Sequence, residues 1–220
     1  MAKSIVKSKK DGSLIVISGP SSAGKSTIRS ELLKMHKELY YSISMTTREP
    51  RVGEQDGIDY FFVSKEEFEK RIEKGAFLEY AQVHRDHYYG TPKDIILDKL
   101  NNGIDVILEI EIQGAVQVNS QMPNAIFIFI MPPDMETLVK RLKKRGTENK
   151  EKMIERIKTA YQEINEASTY NYVVVNDELN IAVSKVDSII TSEKCRVDRI
   201  DAIELDNKEE ILHDLLMDKE

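Results

Sequence analysis

The sequence predicts an α/β fold, a parallel sheet flanked by helices, and two observations lead there. Short, nearly unbroken apolar runs recur at SLIVIS (13–18), DVILEIE (105–111), NAIFIFIM (124–131) and YNYVVVN (170–176). Runs of this length without polar alternation are strands covered on both faces. Segments with helical spacing lie between them, and strands that alternate with helices form parallel sheets.

The first unit is the most explicit. The strand at 13–18 leads into a stretch rich in Gly and Ser and then into STIRSELLKMHKEL (26–39), with Ile28, Leu32, Leu33 and His36 at helical spacing. Further helices are expected over 92–102 and 134–145. Two regions break the alternation. Residues 42–91 hold many Tyr, Phe and turn residues and read as a small mixed β insertion. Residues 138–166 read as two helices broken at Gly146, with Asn149 as the second cap. The expected core is therefore 1–41, 92–137 and 167–206. The final segment, 207–220, reads as an acidic amphipathic helix whose Ile211, Leu212, Leu215 and Leu216 pack on the protein's own core.

Composition narrows the function classes. The 220 residues carry a formal net charge of −6, with 40% hydrophobic and 32% charged residues. Indiscriminate nucleic-acid binding is not expected of such a chain, so anions must be met by local basic clusters. Cys195 is the sole cysteine, which excludes an intrachain disulfide and suggests a reducing, cytoplasmic setting. The basic start, MAKSIVKSKKDG, lacks the apolar centre of a signal peptide. The run AIFIFIM is too short to span a membrane.

Between the first strand and helix, Gly19, Gly24, Lys25 and Ser26 fit G-x-x-x-x-G-K-[ST]. The glycines let consecutive N–H groups turn inward around a phosphate. The helix beginning near Lys25 aims its positive end at the same point. Lys25 then reaches β/γ oxygens, and the Ser26 hydroxyl can ligate Mg²⁺. The whole stretch Gly19, Pro20, Ser21, Ser22, Ala23, Gly24, Lys25, Ser26 and Thr27 is the expected nucleoside triphosphate loop. A second basic cluster, Arg48 and Arg51, flanks Pro50. Guanidinium forks suit the oxygens of a phosphate monoester, and Tyr60 and Tyr89 could add donors.

The phosphate loop, SISMTTREPRVGEQDGIDYFF, FLEYAQV…YYGTPK, DVILEIEIQGAVQV, RLKKRGTEN and YVVVND follow one another in the order and spacing of guanylate kinases. The chain resembles that family over about residues 13–190. The resemblance implies a P-loop kinase core, a GMP-binding insertion (42–91) and a helical lid (138–166). It implies ATP- and Mg²⁺-dependent phosphorylation of GMP and dGMP by a monomer or homodimer, with no nucleic-acid or membrane partner. Matched residue by residue, Arg48, Arg51, Tyr60 and Tyr89 grip the GMP phosphate. Ser44, Glu79 and Thr91 read guanine, and Glu54 orders the site. Glu109 and Glu111 are the acidic pair after the central strand, with Glu109 among the GMP-binding groups, Arg141, Arg145 and Arg156 are lid arginines, and Asn176 lies near adenine.

The residue chemistry agrees. Guanine presents donors at N1 and N2 and an acceptor at O6, so a carboxylate suits the first pair and the hydroxyls of Ser44 and Thr91 suit the last. Glu109 and Glu111, two apart on an expected strand, should share a face. Ser22 stands where the family often has glycine, and a positive φ there would strain it. The turn HRDH before Tyr88 is one residue longer than usual. HRD at 84–86 lacks the partners of a protein-kinase catalytic loop, His84 and His87 lack further zinc ligands, and Cys195 is expected to be inert. The rival class is a catalytically inactive scaffold of the same fold that binds peptides. Such scaffolds typically lose the loop that Gly19, Gly24, Lys25 and Ser26 preserve here.

Overall fold

A computed structural model describes residues 4–8, 11–83, 87–145 and 150–205. The strands are β1 (Ser4–Ser8), β2 (Leu14–Ser18), β3 (Tyr40–Tyr41), β4 (Met45–Thr46), β5 (Phe61–Phe62), β6 (Phe77–Val83), β7 (His87–Pro92), β8 (Val106–Glu109), β9 (Ile126–Met131), β10 (Tyr172–Val175) and β11 (Ile200–Leu205). The helices are α1 (Lys25–Met35), α2 (Lys65–Glu73), α3 (Lys93–Asn101), α4 (Ile112–Gln121), α5 (Met135–Arg145), α6 (Lys150–Asn165) and α7 (Leu179–Glu193).

The core is a five-stranded sheet in the order β10-β9-β2-β8-β3, and every pairing in it is parallel. All five residues of β2 are buried, as a central strand with helices on both faces requires. One face packs Ile15, Ile17 and Ile107 against Ile28 and Leu32 of α1 and Val183 and Val186 of α7. The other packs Val16, Leu108 and Phe127 against Ile96 and Leu100 of α3 and Val118 of α4. Alternate residues of one strand therefore feed two separate cores.

The 42–91 segment forms its own mixed sheet, β5-β4-β7-β6, in which β4 runs parallel to β5 and β7 antiparallel to both β4 and β6. Helix α2 covers it and adds Phe68 to a small cluster with Met45 and Phe77. Helices α5 and α6 share a further cluster of Leu138, Leu142 and Ala160, with Met135, Met153 and Ile157 around it. Strands β1 and β11 pair antiparallel as a separate ribbon.

One geometric expectation is corrected. Glu109 ends β8, but Glu111 has left the strand and is the N-cap of α4. Their common orientation is therefore not that of i, i+2 residues on one strand. Asn149, the turn at 84–86 and the acidic segment 207–220 lie outside the described residues, as does the side chain of Arg145.

Candidate active site

The carboxyl ends of β2, β8 and β9 meet at the loop 19–24, where open parallel sheets bind ligands. Gly19 has φ 140° and Gly24 φ 97°. A Cβ on Gly19 would stand 2.2 Å from the Ile130 carbonyl oxygen, and one on Gly24 2.2 Å from Asn176 Nδ2. Neither position admits another residue without rebuilding the loop. Ser22 does take a positive φ, 67°, so the strain anticipated from the sequence is present. Lys25 Nζ folds back to donate to the Gly19 and Pro20 carbonyls. A cavity of about 260 Å³ lies over the loop, lined by Ser21, Lys25, Ser26, Glu109, Glu111 and Glu163 among others.

Two expected lid arginines reach this loop. Arg156 donates to the Ser21 hydroxyl at 3.0 Å, and Arg141 donates to the Asn176 carbonyl at 3.0 Å. Asn176 is itself buried and donates to the Ala23 carbonyl at 2.7 Å. Its observed part is to brace the loop from below. Glu109 accepts from Arg29 at 2.7 Å, and that guanidinium stacks 4.2 Å over the Tyr41 ring. Neither Arg29 nor Glu163 was expected from the sequence. Each sits on a helix whose spacing shows only that it turns outward, and nothing local tells which outward face meets the cavity.

On the insertion, Arg48 is held by Glu54 through two bonds, 2.9 and 3.0 Å, and its Nε donates to the Tyr89 hydroxyl at 3.1 Å. The guanidinium lies 5.3 Å over the Tyr60 ring, and Tyr60 packs edge-on against Tyr89. The paired guanidinium keeps the Glu54 carboxyl below its usual range. Arg51 joins only through its backbone N–H, which donates to Glu54 at 2.8 Å, and its side chain is exposed. Arg48, Glu54, Tyr60 and Tyr89 are thus one preassembled cationic corner.

Glu79 and Thr91 face each other across β6 and β7. Glu79 is 9% exposed, and the Thr91 hydroxyl donates to it. Burial raises the Glu79 pKa, the Thr91 bond opposes this, and the nearby Glu111 charge adds to it. Tyr89 and Thr91, two apart on β7, share a face about 7 Å apart along the strand. A hydroxyl has one hydrogen. With that hydrogen on Glu79, the Thr91 oxygen is left as an acceptor in the chain without ligand. The Ser44 carbonyl anchors Phe61 at the start of the sheet.

Helix α4 backs the carboxylate. A Cβ on Gly114 would stand 2.9 Å from Glu79 Oε2. Gly114→Ala should therefore displace Glu79 although alanine favours a helix interior by about 1 kcal/mol. The expected result is a loss of about tenfold or more in kcat/KM for the base-bearing substrate, with melting temperature held or raised. Unchanged kinetics would show that the carboxylate position does not matter.

A larger cavity, about 770 Å³, opens at the other end of the sheet. Its Asp105 is engaged by Lys194 and the Ser13 N–H, and its Arg199 by Glu193 and the Asn124 carbonyl. These groups tie the C-terminal segment to the strand starts and point to no chemistry.

A phosphate loop at the carboxyl edge of a parallel sheet, arginines from a helical pair above it and a second anion corner on an inserted sheet together define a P-loop phosphotransferase. The family model for guanylate kinase matches residues 11–193. The chain is 57% identical over 202 residues to the guanylate kinase of Caldanaerobacter subterraneus subsp. tengcongensis, spanning 92% of this chain and 98% of that one. It is 55% identical to that of Clostridium tetani over 207 residues, 94% and 99% of the two chains. A solved guanylate kinase from Anaplasma phagocytophilum superposes with a TM-score of 0.70 at 30% identity, covering 96% of this chain and 97% of the other. The chain belongs to the guanylate kinase family.

Proposed function

We propose that this protein transfers the γ-phosphoryl group of ATP to GMP, and to dGMP, forming ADP and the corresponding diphosphate. The observation that carries the base assignment is the buried Glu79–Thr91 pair, an acceptor set aimed where guanine offers N1–H and N2–H. The Ser44 hydroxyl donates to O6. The corner of Arg48, Tyr60 and Tyr89 takes the GMP phosphate, with Arg51 adding charge and Glu54 fixing the Arg48 fork.

The attacking phosphate oxygen is already ionised, so the reaction needs no strong base. Catalysis is positioning and charge neutralisation. Lys25 turns from the loop carbonyls to the β/γ oxygens. Arg141, Arg145 and Arg156 close over the transferring group and exclude water, which would otherwise accept it. Asn176 holds the loop in shape. Glu109, oriented by Arg29, borders the GMP side, and Glu111 stands at the N-cap position of α4.

The residues present fit Mg²⁺ carried by the nucleotide. Among the described residues no group of three His, Cys, Asp or Glu could hold a metal alone, while Ser26 opens a hydroxyl into the loop cavity. When bound, the ion adds charge neutralisation at the phosphates. No helix among the described residues is long and apolar enough to cross a membrane. The intact loop disfavours the inactive-scaffold reading. A coupled assay of ADP formation with GMP, dGMP, AMP, UMP and CMP tests the assignment. Turnover should be confined to GMP and dGMP, and comparable turnover of another monophosphate would overturn it.

A further inference from the structure

One carboxylate in the loop cavity has no part in the chemistry above. Glu163, on α6, lines the space over Ser21, Lys25 and Ser26. Arg156, on the same helix, donates to the Ser21 hydroxyl. Positions seven apart in a helix share a face, and Ala160 between them is buried in the helical pair's own cluster. One face of α6 therefore presents a cation and an anion to the same loop.

Burial raises the Glu163 pKa and the Glu111 charge adds to it, while the Lys25 ammonium and the Ser21 backbone N–H oppose the rise. The loop's convergent N–H groups and its ammonium are built to hold an anion. A carboxylate matches a phosphate oxygen in sign and accepts the same bonds. It cannot share those donors with a phosphate, because two acceptors that approach one donor set repel each other.

We propose that Glu163 is a positioning residue that stands in for the triphosphate, neutralising the phosphate loop before nucleotide binds and yielding Lys25 and Ser21 when phosphate oxygens arrive. This rests on the phosphotransfer reading of the loop. Bound triphosphate draws Arg156 and repels Glu163, so α6 responds to occupancy through both ends of one face. Loss of the γ-phosphoryl group removes charge from the cavity and lets the carboxylate return, which favours release of the spent nucleotide.

The test is calorimetric titration of the full chain with inorganic tripolyphosphate at low ionic strength. Wild type, Glu163→Gln, Glu163→Ala and Lys25→Met are compared, with melting curves for each. Both Glu163 variants should bind about tenfold more tightly, and KM for ATP should fall while KM for GMP stays. A purely structural bond to Ser21 predicts the opposite sign, since its loss loosens the loop. Unchanged or weaker binding in either folded Glu163 variant overturns the inference. Binding that Lys25→Met abolishes upholds the loop assignment whatever Glu163 does. Absence of Lys25-dependent binding in the wild type sinks both.

Discussion

Lys25→Met should lower kcat by about 10²- to 10³-fold, while the protein remains folded. The ammonium neutralises charge that develops on the phosphates once the lid arginines close over them, and loss of one such group costs ~3–4 kcal/mol of barrier. Methionine keeps most of the unbranched stem and removes the ammonium, with its charge and its donors. In the absence of nucleotide the ammonium rests on the Gly19 and Pro20 carbonyls. Those oxygens border an open cavity and can turn to water, so the melting temperature should move little. The check is steady-state turnover beside a melting curve. Near-normal turnover in a folded variant would remove the phosphate loop from the mechanism.

Glu79→Gln should reduce kcat/KM for GMP by about 10²-fold or more, as expected for loss of charge-assisted bonds worth roughly 1.5–3 kcal/mol each. AMP should lose much less. A carboxylate only accepts, so facing adenine it meets the N1 lone pair and a bare C2–H. The amide of glutamine can donate to that lone pair, so the GMP/AMP preference narrows. The same substitution should stabilise the fold. Burial raises the Glu79 pKa, so at neutral pH its ionisation opposes folding, and glutamine removes that cost. The gain should shrink as pH falls through the raised pKa and vanish below the ordinary glutamate value of 4.5, where the carboxyl is neutral in both states. A folded variant with the wild-type base preference would show that Glu79 does not read the base.

What could be read from the residues divides along physical lines. Strands β2, β8 and β9 were legible because burial on both faces leaves an apolar run, while β10, at the sheet edge with Val173 and Val175 exposed, was legible by its β-branched run alone. The phosphate loop was legible because Gly, Lys and Ser at fixed spacing serve a local geometry. Two missed helices did carry signals. Ser64 caps α2 and accepts from the Glu67 N–H, the S-x-x-E pattern of a capping box. Helix α7 buries Ala182, Val183, Val186 and Ile190, a clear helical stripe. Strand β3 is two tyrosines long, and the β1–β11 ribbon pairs residues nearly two hundred positions apart, so neither has a local pattern. Glu111 shows the limit of periodicity: an alternating pattern continued past the point where the backbone turns into α4. The Glu79–Thr91 bond lay beyond sequence because its direction, hydroxyl to carboxylate, depends on which group is buried beside which.

The insertion and the α5–α6 pair each keep an apolar cluster of their own, apart from the two that flank the main sheet. Cooperativity follows from shared interior, and the α5–α6 pair shares little, whereas the insertion adds Leu78 of β6 to the cluster against α3 and α4. The helical pair can melt or pivot without opening the main core, so the chain without ligand has two units with stabilities of their own. In the proposed reaction ATP and GMP bridge them. Bound substrate therefore acts as the missing common interior: it couples the units, merges their unfolding into one transition and raises the most fragile of them the most.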